Sequence, residues 1–332
     1  MSCTLAVVGA TGLVGRAMLS ILEERAFPAE RVLVLASRRS VGRKLPYRGG
    51  ELTVAEACDA SFAGVDIALF SAGANAAREL GPQAAARGAV VIDNSSAWRM
   101  DPDVPLVVPE VNPKDALSRP KGIIANPNCS TIQMVVALKP LHDLAHLEHI
   151  VVSTYQAASG KGQEAVEELL AQQRQLAEGH RPEGMIFPGP LAGNLLCDWK
   201  PGTGDYSEEE LKLVFETRKI LGVPELGVSP TTVRVPVMTG HSEAVFVRFR
   251  RPVSALEAKA ALRSAPGVEL DERPYAPGCH PQPLDCVGRD AVFVGRVRED
   301  LAVPGALNLW IVSDNLRKGA ALNAVQIAEL LL

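Results

Sequence analysis

No apolar run in the 332-residue sequence reaches the length needed to cross a bilayer, and Met1-Ser2-Cys3-Thr4 lacks a basic signal-peptide start. Neither a membrane-spanning nor an exported protein is expected, and the setting is read as cytoplasmic. Neither charge is strongly in excess. A net charge of -4 gives no reason to expect a nucleic-acid partner or a membrane surface. The six cysteines, at positions 3, 58, 129, 197, 279 and 286, have no framework spacing, so reduced thiols are expected rather than disulfides. Cys279, His280 and Cys286 lack the tight pairing of a zinc site, and His142, His146 and His149 have no cysteine or acid pair nearby. No metal is expected. There is no internal repeat and no low-complexity segment.

The chain is 47% hydrophobic and 22% charged, ordinary for a globular protein and long enough for two domains with proper cores. Leu5-Ala6-Val7-Val8 reads as a buried strand. Gly9-Ala10-Thr11-Gly12-Leu13-Val14-Gly15 follows, then an amphipathic helix through Met18, Leu19, Ile21 and Leu22. A glycine-rich turn between strand and helix lets backbone approach a pyrophosphate at a helix N-terminus. The alternative is a tight turn with no ligand. A second strand, Val32 to Ala36, ends at Ser37-Arg38-Arg39-Ser40. An NAD site would place an acid there; arginines and hydroxyls suit a 2′-phosphate, so NADP is preferred over a solvated basic turn. Strands at Val65 to Phe70 and Ala89 to Ile92 flank a helix from Ala74 to Arg87, giving the βαβ rhythm of a parallel sheet. Ser71-Ala72-Gly73 could pass close to a cofactor. Arg99, after Asp93-Asn94-Ser95-Ser96, could reach an anion or be an ordinary surface arginine.

The stretch Asn126-Pro127-Asn128-Cys129-Ser130 lies between a short strand, Gly122 to Ala125, and a helical pattern from Thr131 to Leu141. Cys129 is thus expected at a helix N-terminus, where N–H groups and the helix dipole favour a nucleophilic thiolate. The competing reading is a small buried residue.

In the second half, His149 to Ala157 reads as a strand carrying Gln156 at its end, and Ser159-Gly160-Lys161-Gly162 opens a helix. Arg181 to Pro201 reads as a long loop of the kind that carries function or oligomer contacts. Ser207 to Leu221 is a helix with a capping box, Ser207 to Glu210, on which Glu209 and Lys212 share a face. Thr231 to Val237 reads as a strand with Arg234 inside an apolar run, where the charge needs a partner. His241 follows in a turn and is either structural or an acid/base beside the cysteine. Leu307 to Ser313 is a last strand, and Asp314-Asn315-Leu316-Arg317-Lys318-Gly319 leads to a C-terminal helix, Ala320 to Leu332.

Several of these motifs, in order, resemble the aspartate-β-semialdehyde dehydrogenase family, in its shorter bacterial branch. They are Gly9 to Gly15, Asp93-Asn94-Ser95-Ser96, Pro109-Glu110-Val111-Asn112, Asn126 to Ser130, Tyr155-Gln156-Ala157-Ala158-Ser159-Gly160, Arg234-Val235-Pro236-Val237 through Gly240-His241-Ser242, and Asp314 to Ala321. One departure is mild: Ala158 stands where the family often has valine. The resemblance implies an α/β protein with an N-terminal Rossmann-type NADP-binding domain. Its partner is an α+β catalytic and dimerisation domain of the glyceraldehyde-3-phosphate-dehydrogenase-like type. The expected division is 1–128 with 305–332, the C-terminal helix docking back, and 129–304. The roles implied are Cys129 as nucleophile, His241 as acid/base and Gln156 as the group orienting the acyl-thioester. Arg234 would hold the substrate carboxylate and Glu209 its ammonium group. Arg99 and Lys212 would hold phosphate, with Asn128 assisting. NADP would contact Gly9, Thr11, Gly12, Leu13, Val14, Ser37, Arg38, Ser71, Ser159, Gly160 and Asn315. The implied reaction is NADPH-dependent reduction of β-aspartyl phosphate to the semialdehyde, by a homodimer or a dimer of dimers, in lysine, threonine, methionine and isoleucine biosynthesis. N-acetyl-γ-glutamyl-phosphate reductase, glyceraldehyde-3-phosphate dehydrogenase and a non-catalytic NADP-binding protein are the rival readings.

Overall fold

The computed structural model describes residues 3–197 and 199–332. They form two compact units, Met1–Asn128 with Ala320–Leu332, and Cys129–Gly319.

The first unit contains β1 (Cys3–Val8), β2 (Ala29–Ala36), a hairpin of β3 (Lys44–Tyr47) and β4 (Gly50–Thr53), β5 (Ala55–Glu56), β6 (Ile67–Phe70), β7 (Val90–Asp93) and β8 (Ile123–Ala125). Outside the hairpin the strands form one parallel sheet in the order β5-β2-β1-β6-β7-β8. Strands covered on both faces read as unbroken apolar runs, as Leu5 to Val8 and Ile67 to Phe70 do. Two helices, α1 (Leu13–Glu24) and α2 (Ala74–Ala86), link the strands. On α1 the residues Met18, Leu19, Ile21 and Leu22 are buried, an apolar stripe at helical spacing. The C-terminal helix Leu322–Glu329 joins this core through Leu322, Val325 and Ile327. Its Asn323 Nδ2 donates to Val107 O at 3.0 Å and Asn126 Oδ1 at 2.7 Å. Strand order reverses at β1, and that switch point is where open parallel sheets bind ligands.

The second unit contains α3 (Cys129–Ala145), β9 (Leu147–Gln156), α4 (Gln163–Ala177), α5 (Glu208–Leu221), β10 (Gly227–Arg234), β11 (His241–Phe249), α6 (Ala255–Arg263), β12 (Val268–Leu270), β13 (Val292–Glu299) and β14 (Leu307–Ser313). Its mixed sheet runs β10-β9-β11-β14-β13-β12. Helix α3 is buried nearly all round, from Ser130 to Leu138, because it lies between the sheet and helices α5 and α6. Strand β9 alternates strictly near its end. Val152, Thr154 and Gln156 are buried, whereas Val151 and Tyr155 are exposed on the opposite face.

Two expectations are corrected. A return to the first domain at residue 305 fails because β14 is hydrogen-bonded between β11 and β13; the chain re-enters the first unit at Ala320. A strand from Thr231 to Val237 ends instead at Arg234, two residues before Pro236, which has no N–H to donate.

Candidate active site

In the first unit the glycine-rich turn stands at the C-terminal end of β1. Gly9 and Ala10 donate their N–H groups to Leu35 O at 2.8 and 3.2 Å, and Gly12 donates to Gly9 O at 3.1 Å. Gly9 has φ +83°, and a Cβ there would lie 2.3 Å from Ser71 O. Only glycine permits both the dihedral and the approach. Thr11 Oγ1 is 3.5 Å from Ser40 Oγ; Gly12, Leu13 and Val14 carry the chain into α1. Ser37 and Arg38 stand exposed at the end of β2. A bare backbone cradle with cationic, acid-free residues at the next strand end fits a phosphorylated dinucleotide.

Arg99 is not a surface residue. It is 7% exposed, and its Nε and Nη2 donate to Asn126 O at 3.0 Å and Asn94 O at 3.1 Å. Asp93, beside it, accepts from Ser95 N and Oγ; burial nonetheless holds its carboxyl above the ordinary range. Asn128, also buried, ends this unit.

In the second unit the sequence-predicted residues come from four strand or helix ends. Gln156 ends β9 and Arg234 ends β10; they are register partners in a parallel pair. His241 begins β11, opposite Ser313. The antiparallel pairing of Ser242 with Tyr155 sets His241 beside Gln156. Cys129 is the first residue of α3. It lies against Gly319, where a Cβ would come within 2.8 Å of the cysteine Cβ and 3.6 Å of Asn315 Cβ. Sequence reasoning left Gly319 out, because a glycine before a helix is also an ordinary punctuation signal.

One peptide, Ala157, ties the strand ends together. Its N–H donates to His241 Nδ1 at 3.0 Å, and its carbonyl accepts from Arg234 Nη1 at 2.7 Å. A ring nitrogen that accepts a hydrogen bond carries no proton, so the His241 proton sits on Nε2. That Nε2 is buried and has no hydrogen-bond partner among the described residues. Burial first, then the Arg234 charge, lowers the His241 pKa to about 3, against a smaller opposite pull from Glu209. The ring is therefore a neutral N–H donor at neutral pH.

Glu209 is 4% exposed rather than solvated. Its Oε2 accepts from Lys212 Nζ at 2.9 Å and its Oε1 from Gln156 Nε2 at 3.3 Å. Gln156 also reaches Thr154 Oγ1 at 3.3 Å. Ser159 and Gly160 lie on the turn Ala158–Lys161, with Gly160 against Arg234 and His241. Ser159 Oγ bonds reciprocally with the Asn315 amide at 3.0 and 3.1 Å, and Asn315 Oδ1 accepts from Gly240 N at 2.8 Å. Arg234, Glu209, Gln156 and His241 thus form one buried set of both charge signs, with the half-buried Lys212 at its edge. Among the described residues no disulfide links the cysteines, and no group of three or more His, Cys, Asp or Glu gathers for a metal.

Two family profiles cover most of the chain. Residues 4–118 match the semialdehyde dehydrogenase NAD binding domain, and residues 138–318 match the semialdehyde dehydrogenase dimerisation domain. The fold is that of this class of two-domain, nicotinamide-dependent oxidoreductase. The aspartate-semialdehyde dehydrogenase of Aquifex aeolicus is 52% identical, over 100% of this chain and 98% of that one. The crystal structure of aspartate semialdehyde dehydrogenase II from Vibrio cholerae, complexed with ASA, superimposes with a TM-score of 0.96 at 45% identity, covering 100% and 98% of the two chains. The enzyme from Candida albicans with NADP gives a TM-score of 0.76 at 28% identity, again over 100% and 98%. The chain belongs to the aspartate-semialdehyde dehydrogenase family.

Proposed function

We propose that the chain reduces β-aspartyl phosphate to aspartate semialdehyde with NADPH, releasing phosphate, as a step of lysine, threonine, methionine and isoleucine biosynthesis. The observation that carries this reading is the buried pair of Arg234, at the end of β10, and Glu209, in the first turn of α5, whose charges both act on His241. A cation and an anion held side by side suit the carboxylate and ammonium of an amino acid. An acetylated amine would have no use for Glu209, which argues against the N-acetylglutamyl substrate.

Cys129 Sγ attacks the acyl carbon; the carbon–oxygen bond to phosphate breaks and a thioester forms. Phosphate recognition is assigned to Arg99 and Lys212, with Asn128 beside the nucleophile. Arg234 and Glu209 bind groups remote from the reacting carbon and hold it near sulfur. Gln156, anchored on Thr154 and Glu209, orients the thioester carbonyl. Bound NADPH supplies the hydride; the cradle assigned to it comprises Gly9, Thr11, Gly12, Leu13, Val14, Ser37, Arg38, Ser71, Ser159, Gly160 and Asn315. His241 holds a proton at Nε2 towards the oxygen that gains charge as the thioester is reduced. The carbon–sulfur bond then breaks, freeing the aldehyde and restoring Cys129. The departing phosphate takes the balancing proton.

We assign the open face of the second sheet, with Val151 and Tyr155, to contact with a second copy. A homodimer is proposed, and its pairing into a tetramer would use other surfaces. No helix is long and apolar enough to cross a membrane among the described residues; the biosynthetic role supports a cytoplasmic setting.

The test is phosphate-dependent reduction of NADP by the purified protein with aspartate semialdehyde, followed by NADPH absorbance, beside parallel wells with N-acetylglutamate semialdehyde and with NAD. Turnover with the first substrate is expected. Turnover with the acetylated substrate alone would move the assignment and remove the role given to Glu209. Binding of NADPH without turnover would leave a non-catalytic protein.

A further inference from the structure

The guanidinium of Arg234 is 2% exposed, and its Cζ lies 4.2 Å from the centroid of the Trp199 ring. The indole is not on the strand that carries the arginine. It belongs to the long segment between α4 and α5, whose described residues form no strand or helix. That segment is nevertheless strapped along the end of β10. Leu196 N donates to Arg234 O at 3.1 Å and Arg234 N donates back to Leu196 O at 2.7 Å, an isolated antiparallel bridge. The indole Nε1–H then donates to Thr232 O at 3.2 Å, two residues back along β10. Two separate attachments to the same strand thus fix both the segment and the orientation of the ring.

An arginine side chain has four rotatable bonds, and its charge is costly to bury without compensation. The Ala157 carbonyl takes Nη1 at one edge. Edge contacts alone let the plane rock about the hydrogen bond. A ring stacked on the face removes that freedom, keeps water from the face and stabilises the charge electrostatically. A planar guanidinium can accept a carboxylate bidentately only when its plane is set before the ligand arrives. We infer that Trp199 is a positioning residue for substrate recognition, acting through Arg234: it holds the guanidinium plane in the attitude that receives the substrate carboxylate. The inference rests on the assignment of Arg234 to that carboxylate.

The experiment measures kcat and the separate KM values for aspartate semialdehyde, phosphate and NADP in the intact enzyme, in Trp199→Phe, Trp199→Leu and Trp199→Ala, each checked by thermal melting. Leucine supplies bulk without a π face and keeps the test open should the alanine variant fold poorly. The leucine and alanine variants are expected to raise the semialdehyde KM roughly tenfold. Their kcat and their KM for phosphate and NADP should stay within about threefold, and phenylalanine should restore most of the loss. An unchanged semialdehyde KM, a uniform rise in all three constants, or equal effects of leucine and phenylalanine would overturn the inference. Arg234→Lys separates the two layers. If it leaves the semialdehyde KM unchanged, the assignment of Arg234 fails and the inference with it; if it raises that KM while Trp199→Leu does not, only the inference fails.

Discussion

Single side chains decide the chemistry, and their surroundings set the sign of each effect. Cys129→Ala removes the proposed nucleophile. Its kcat should fall by about four orders of magnitude or more, with the melting temperature little changed, in the NADPH assay. His241 is uncharged well below neutrality, so a rate change with a midpoint near the ordinary histidine pKa of 6.5 should not arise from it. Glutamine at 241 keeps an N–H donor and should retain more kcat than alanine. The ring also links stability to pH. Its folded pKa of about 3 lies below the ordinary 6.5, so the unfolded chain binds a proton first, and this contribution is complete above 6.5 and lost as pH falls towards 3. Glu243, two residues along the same strand, has the opposite sign. It is fully buried, its two oxygens have no well-aligned partner, and burial raises its pKa well above 4.5 despite the nearby Gln133 amide. Its contribution is present below about 4.5 and lost as pH rises. Glu243→Gln should therefore raise the melting temperature at pH 8 and leave it nearly unchanged at pH 4. In the first unit, Arg38→Ala should raise the KM for NADP roughly tenfold and leave that for NAD alone, the expected loss of one charge-assisted contact.

At the scale of elements, the legible parts were those whose periodicity is local. The glycine-rich turn with α1, the capping box of α5 and the alternation of β9 each declare themselves within a dozen residues. The hairpin β3–β4, helix α6 and strand β12 are short and half-exposed and carry little periodic signal, and the apolar run of β13 is broken midway by Gly295 and Arg296, so none of them is read from sequence. The site was legible as residue types: Arg234 stood out because a charge in an apolar run demands a partner. Its alignment with Gln156 and His241 depends on strand register, which no local pattern shows. The same holds for Trp199, whose partners lie on a strand thirty-odd residues away. The first part of the long segment after α4 is held by one carboxylate. Glu168 accepts from the backbone of Met185, Ile186 and Phe187 at 3.0, 2.5 and 3.4 Å, and from Gln172 at 3.0 Å. Glu168→Ala should cost about 2–3 kcal/mol in a thermal or urea melt. It should also speed proteolytic cutting between residues 181 and 197, read by mass spectrometry of the nicked chain.

At the scale of the whole molecule, the second sheet presents two different faces. Its covered face carries Gln156 and His241; its open face presents Val151 and Tyr155, with Tyr155 and Trp310 rings 5.5 Å apart. If a second copy covers that face, Val151→Glu places a charge in the contact. The variant should elute as a monomer in light-scattering chromatography, and its specific activity should fall as the protein is diluted. Along β9 the two faces are interleaved, with Tyr155 and Gln156 as chain neighbours about 3.3 Å apart along the strand. A small molecule wedged onto the open face would therefore act as an inhibitor without entering the site. Its effect would not be relieved by raising the semialdehyde concentration, and it would deepen on dilution, when free subunits are there to be captured.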